Sequence, residues 1–139
     1  MSTANIFILW AASTTEVTLS PRSGGSGEPT YNPRANVTLL PGSGVANGTM
    51  TANIRCENCL STWPSSESGD TAVAGFEMDP NGNATEWFWA CQSGEMLGTD
   101  DPSADLGMHD DKGVIMFDLS RARFPVEEGV CLEGVNPFV

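Results

Sequence analysis

Apolar residues recur along this chain in short runs separated by turn formers, with no helical stripe of useful length. The runs Asn5 to Ala12, Glu16 to Leu19, Asn36 to Leu40, Thr49 to Cys56, Ala72 to Met78, Glu86 to Gln92 and Lys112 to Leu119 each predict a β-strand. Ile6 to Ala12 reads as a buried strand. In Thr49 to Cys56, Met50, Ala52, Ile54 and Cys56 alternate with Thr49, Thr51, Asn53 and Arg55, the pattern of a sheet with one buried and one wet face. Pro21 to Pro29, Pro41 to Gly44 and Pro64 to Asp70 are rich in glycine, proline and serine, which break helices and favour turns. The predicted fold class is therefore all-β, an antiparallel β-sandwich, without internal repeats.

Cys91 to Asp111 stands apart. It carries Asp100, Asp101, Asp105, Asp110 and Asp111 among Gly94, Gly98, Pro102 and Gly107, and follows neither period. A connection this long in a compact domain is either functional or disordered, and this one delivers His109, the chain's single histidine, to the start of the last strand. An isolated histidine in an acidic stretch is most often a solvated loop residue, so its position alone assigns it nothing.

The context of His109 is more specific. In order come Met1 with Trp10-Ala11 nine positions on, Arg55-Cys56-Glu57-Asn58-Cys59 followed by Trp63, and Trp87-Phe88-Trp89-Ala90. Asp100-Asp101-Pro102-Ser103, His109 and Gly113-Val114-Ile115-Met116-Phe117-Asp118 complete the series. In these pieces the chain resembles the cytochrome domain of cellobiose dehydrogenase, a fungal secreted haem b protein of the iron-reductase, DOMON-like group. The resemblance implies an immunoglobulin-like, DOMON-like sandwich over residues 1–126, with 127–139 a tail or the start of a linker. It also implies haem b held by Met1 and His109 as axial ligands. A neutral imidazole and a thioether form a soft pair that favours ferrous iron and leaves no place for oxygen, so the centre would pass single electrons. In the family these arrive from a flavin dehydrogenase domain and leave to a copper lytic polysaccharide monooxygenase, or to small oxidants such as cytochrome c or ferric complexes. No glycine-rich dinucleotide fingerprint occurs, so this chain alone is not expected to oxidise a sugar. The aromatic residue that meets a haem propionate in the family has no clear counterpart; Tyr31 lies nearest, and the propionate contacts stay unassigned. The chain is also expected to begin inside the domain, missing a signal peptide and the first strands, with Met1 an internal residue turned start.

Composition narrows the partners. Eighteen acidic against six basic residues give a net charge of −12 over 139 residues, which disfavours nucleic acid and anionic membranes. No apolar stretch is long enough to span a bilayer. The cysteines fall as a close pair, Cys56 and Cys59, and two isolated positions, Cys91 and Cys131; four allow three pairings. The close pair lacks the second pair zinc would need and the helix a redox dithiol would open, so it reads as a structural disulfide, with Cys91 to Cys131 as the expected second bridge. Sequons at Asn36, Asn47 and Asn83 agree with secretion and N-glycosylation.

A rival reading is a non-haem secreted β-sandwich module that binds carbohydrate on aromatic faces. Trp10, Trp87 and Trp89 sit in apolar strands and are expected to pack inward, which leaves Trp63, beside Pro64, as the ring expected to be exposed. The paired acids Asp100 with Asp101 and Asp110 with Asp111 lack calcium-loop spacing and read as solvated charge around the haem edge, tuning partner docking.

Overall fold

The computed structural model describes residues 4–24, 27–64 and 77–122. Among them every ladder is antiparallel and the only helix is a short 3-10 turn, Leu119–Ala122, so the chain is all-β, as a sandwich requires. Two compact units divide the chain: Met1–Glu77 with Glu95–Leu106, and Met78–Gly94 with Gly107–Val139.

The first unit is built on a three-stranded sheet of β1 (Ala4–Ala11), β2 (Val17–Gly24) and β3 (Thr30–Tyr31), with β2 central. β1 is apolar at nearly every position, is half-buried along most of its length and buried at Trp10, and makes contacts from both faces. Odd-numbered Asn5 and Phe7 meet the segment around Trp63, while Trp10, on the even-numbered face, donates from Nε1 to the Thr99 carbonyl at 2.7 Å. The β1–β2 turn is closed by Ala12 N–H to the Glu16 carbonyl and by the Ser13 hydroxyl, which accepts from Glu16 N–H at 3.1 Å.

β2 runs through Pro21, where the sequence predicted that the strand had ended in a turn. Pro21 accepts from Asn32 N–H at 2.8 Å but has no N–H to return, and β3 stops one pair earlier at Tyr31 opposite Arg22. The proline thus terminates the β2–β3 ladder without breaking β2.

β4 (Val37–Leu39), β5 (Gly44–Ala46), β6 (Thr49–Thr51) and β7 (Ile54–Cys56) form one interrupted hairpin, β4 pairing β7 and β5 pairing β6. The predicted strand Thr49 to Cys56 is therefore split. Between the pairs Leu39↔Ile54 and Gly44↔Thr51, residues 40–43 oppose only 52–53, and the excess bulges out. The Ser43 hydroxyl fills the gap in the ladder, accepting from Asn53 N–H at 3.0 Å. The tip is Asn47-Gly48, both at positive φ (51° and 73°), a geometry asparagine and glycine accept with least strain. Cys56 and Cys59 are disulfide-bonded, as expected. Of the predicted strand Ala72 to Met78, residues 72–76 lie outside the described residues, and Glu77 makes a single bridge to Ser61.

The second unit contains β8 (Thr85–Cys91) paired with β9 (Asp111–Phe117), both close to their predicted bounds. Asp118 caps the 3-10 turn by accepting from Ser120 N–H at 3.1 Å.

Candidate functional site

Residues 92–110, which join β8 to β9, contain no regular element, as the sequence predicted, but they are far from loose. Their middle belongs to the first unit and lies on the even-numbered face of its sheet. There Thr18, Ser20 and Arg22 form a buried polar row beside Trp10. Arg22 is only 3% exposed, and donates from Nε to the Ser20 hydroxyl at 2.9 Å, from Nη1 to the Pro29 carbonyl at 3.1 Å and from Nη2 to the Pro102 and Ala104 carbonyls. Ser20 in turn donates to the Pro102 carbonyl. Glu28, at 3.9 Å, is the ion-pair partner of the guanidinium, and its Oε1 accepts from Leu106 N–H at 3.1 Å. A buried cation survives only when its donors are met, and here backbone carbonyls meet most of them.

Asp101 shapes the same stretch. Its Oδ1 accepts from Ser103 N–H at 2.9 Å and from the Ser103 hydroxyl at 2.7 Å. Those two bonds, with a smaller contribution from the Arg22 charge, hold its carboxyl below the usual value of 3.8. A group whose folded pKa is depressed stabilises the fold above its unfolded pKa and loses that effect as pH falls through the folded pKa. Asp101→Asn is therefore expected to be less stable than the parent at pH 7, the difference closing as denaturant unfolding is repeated at pH values descending below 3.8. A gap that persists undiminished in acid would mean that the carboxylate charge is not what holds this turn.

In the second unit the neck of the loop is tied by Asp110. Its N–H donates to the Cys91 carbonyl at 3.0 Å, and its carboxylate accepts from the Ser93 N–H at 3.2 Å and from the Ser93 hydroxyl. The Ser93 bonds lower the Asp110 pKa, with a smaller contribution from His109. Asp101 and Asp110 are exposed, as expected of solvated acids, and their carboxylates in addition close the turn and the neck. Asp100, Asp105 and Asp111 are exposed.

His109 is exposed, one residue before the neck, and its neighbour Met108 is 86% exposed. In the same unit, the two faces of the β8–β9 ribbon carry exposed apolar side chains: Phe88 (79%), Val114 and Met116 on one, Trp89 and Ile115 on the other. Trp87 stacks on Phe117 at 5.2 Å. The Trp89 indole lies over Gly113, where a Cβ would come within 2.8 Å of the ring, so glycine is what lets the indole lie flat.

Met1, the other expected ligand, and Cys131, the expected partner of Cys91, lie outside the described residues, as does the tail 127–139. Cys91 is exposed at the end of β8 and has no disulfide among the described residues. Tyr31 is half-buried on β3. Asn36, Asn47 and Asn83 are exposed. Trp63 is a correction: it is 3% exposed, buried edge-on against Phe7 at 5.3 Å, and its N–H donates to Asn5 Oδ1 at 2.9 Å. The exposed indole is Trp89. An open cavity of about 300 Å³ beside the β5–β6 hairpin is lined by Thr15, Ser43, Val45, Thr49 and Thr51, with no aromatic or imidazole group. The Arg22 clamp had no local signal in the sequence.

The residues of the second unit fit a haem in kind: an exposed imidazole, the only one in the chain, and a ribbon whose apolar side chains want cover. Residues 1–126 match the family model for the cytochrome domain of cellobiose dehydrogenase. No curated protein and no solved structure matches the chain.

Proposed function

This chain belongs to the family of the cytochrome domain of cellobiose dehydrogenase, a haem-binding electron-transfer domain, and from that premise we propose that it binds one haem b through His109 and Met1. When bound, the haem supplies a one-electron redox couple. His109 offers its imidazole from an exposed position just ahead of β9, with Asp110 tied to Ser93 and Cys91 immediately behind it. Phe88, Val114 and Met116, or Trp89 and Ile115, offer apolar cover to a porphyrin face. Met1 is carried over from the resemblance and supplies the thioether.

In this reading electrons arrive from a flavin dehydrogenase domain and leave to a lytic polysaccharide monooxygenase or another one-electron acceptor. The exposed Asp100, Asp105 and Asp111 carry charge that steers such partners. The domain occupies residues 1–126 with 127–139 leading out of it, and the protein works outside the cell. The Cys56–Cys59 disulfide and three exposed sequon asparagines support that location. Cys91 pairs with Cys131.

The observation that carries the reading is the single exposed imidazole in a chain of a haem-binding family. The test is reconstitution with haemin, recording oxidised and reduced spectra with and without carbon monoxide. Sharp low-spin bands unchanged by carbon monoxide are expected, because His109 and Met1 would together hold the iron. A colourless protein retained on cellulose would replace this reading with carbohydrate binding, for which the flat, exposed Trp89 is the platform.

A further inference from the structure

We propose that Ser93 and Asp110 form a clasp that positions His109, with Gln92 as the stop against which Gly107 rests. The inference rests on the haem reading for its purpose, though not for its geometry, and every residue in it belongs to the second unit. The β8–β9 ladder ends at the pair Cys91↔Asp111. One step further out, Asp110 N–H donates to the Cys91 carbonyl at 3.0 Å. Its carboxylate accepts the Ser93 N–H on both oxygens at 3.2 Å and the Ser93 hydroxyl on Oδ2. Hydrogen bonds to a carboxylate are charge-assisted and stronger than those between neutral groups.

On the other side of His109, the Gln92 amide lies against the backbone of Gly107. A Cβ at that position would come within 2.5 Å of Nε2 and 2.6 Å of Oε1, so glycine is what lets the chain pass this close. Residues 91–93 thus meet the chain at Gly107 and again at Asp110, and only Met108 and His109 lie between. An arch of two residues pinned at both ends has few conformations, so little entropy is lost when its imidazole becomes a ligand. A ligating histidine is commonly oriented by a hydrogen bond from its second ring nitrogen. Among the described residues the His109 ring makes none, so its placement comes through the backbone, which the clasp holds.

The experiment uses the full chain carrying Ser93→Ala, with Ser93→Thr as the conservative control and Gly107→Ala as the change at the other end of the arch. Ser93 and Gly107 are exposed, and Ser93→Ala leaves every charge in place. Gly107→Ala displaces only the far end of the flexible Gln92 side chain, so the cost to the fold is small in each case. The single histidine gives one set of imidazole C–H signals by NMR, a direct reporter of His109. Amide exchange at Ser93 and Asp110 reports the clasp, and the rate of haem transfer from the haemin-loaded protein to an apoglobin reports ligand quality. Ser93→Ala is expected to speed exchange at both amides. Ser93→Ala and Gly107→Ala should each shift or broaden the His109 signals and speed haem loss by about tenfold, the size typical of losing a group that orients a metal ligand. Ser93→Thr, which keeps the hydroxyl, should behave as the parent. Faster exchange in Ser93→Ala with unmoved His109 signals and unchanged haem loss would overturn the proposal, leaving the clasp as a strand closure only. The haem reading fails by a different result: haemin that binds the parent and a His109→Ala variant identically. Histidine signals that move in Ser93→Ala and return in Ser93→Thr would still support positioning in that case.

Discussion

Replacing His109 with alanine is expected to abolish the low-spin spectrum of the haemin-loaded chain entirely. The reason is arithmetic of donors: the sequence holds one histidine, and among the described residues no group of three or more histidine, cysteine or acidic side chains converges that could substitute for it. A thioether left alone on the other face is a weak, neutral ligand, so iron would turn high-spin and accept carbon monoxide. Met1→Leu should give the complementary result, a histidine-ligated iron that also opens to carbon monoxide. The two variants together separate the ligands, and exogenous imidazole should restore the low-spin bands to His109→Ala. Retention of an unaltered spectrum in His109→Ala would remove the imidazole from the site altogether. The fold should be untouched in His109→Ala, since the His109 side chain is exposed.

How much of this was readable in advance depends on where each residue finds its partners. β1, β8 and β9 were legible because the run of apolar, β-branched and aromatic residues is itself the signal. β2 beyond Leu19 was not. Ser20 and Arg22 look like an outward face and Pro21 like a turn, yet all three are buried. What makes their burial possible is the set of carbonyls at Pro102 and Ala104, some 80 residues further along, and no local period encodes a partner so distant. The split of Thr49 to Cys56 escaped for a related reason: alternation is unbroken through it, and the interruption comes from surplus residues on the opposite strand. Asn47-Gly48 did carry a hairpin signal, which its reading as a sequon obscured.

The candidate site divides the same way. His109 stood out by being unique, and its place ahead of β9 was foreseen. The tie beside it, Ser93 to Asp110, and in the other unit the tie of Glu28 to Leu106, are polar pairs across 17 and 78 residues that look in sequence like ordinary surface groups. Acidic residues that read alike, Asp100 beside Asp101, differ in role only because Ser103 lies two positions beyond Asp101.

Trp63→Ala is expected to have the largest effect on stability, on the order of 4 kcal/mol. The ring is 3% exposed, and a buried tryptophan removes roughly 200 Å² from water; at about 25 cal/mol per Å² that is about 5 kcal/mol, in the range seen for truncating large aromatic residues. The edge-on contact with Phe7 would be lost too, and with it the packing on the odd-numbered face of β1. The backbone tie is independent of the side chain, since Asn5 accepts from Trp63 N–H and donates to the Ser61 carbonyl, so the cavity would not close by the segment simply leaving. For a domain of this size the loss corresponds to a fall in Tm on the order of 10 °C. Trp63→Phe should cost much less. The indole Nε1 is buried without a hydrogen-bond partner, so phenylalanine gives up ring area but also relieves an unmet donor. Thermal and denaturant unfolding of both variants decides the matter: near-parental stability in Trp63→Ala would put the ring in solvent, where the sequence first placed it, and would restore Trp63 as a surface for sugars.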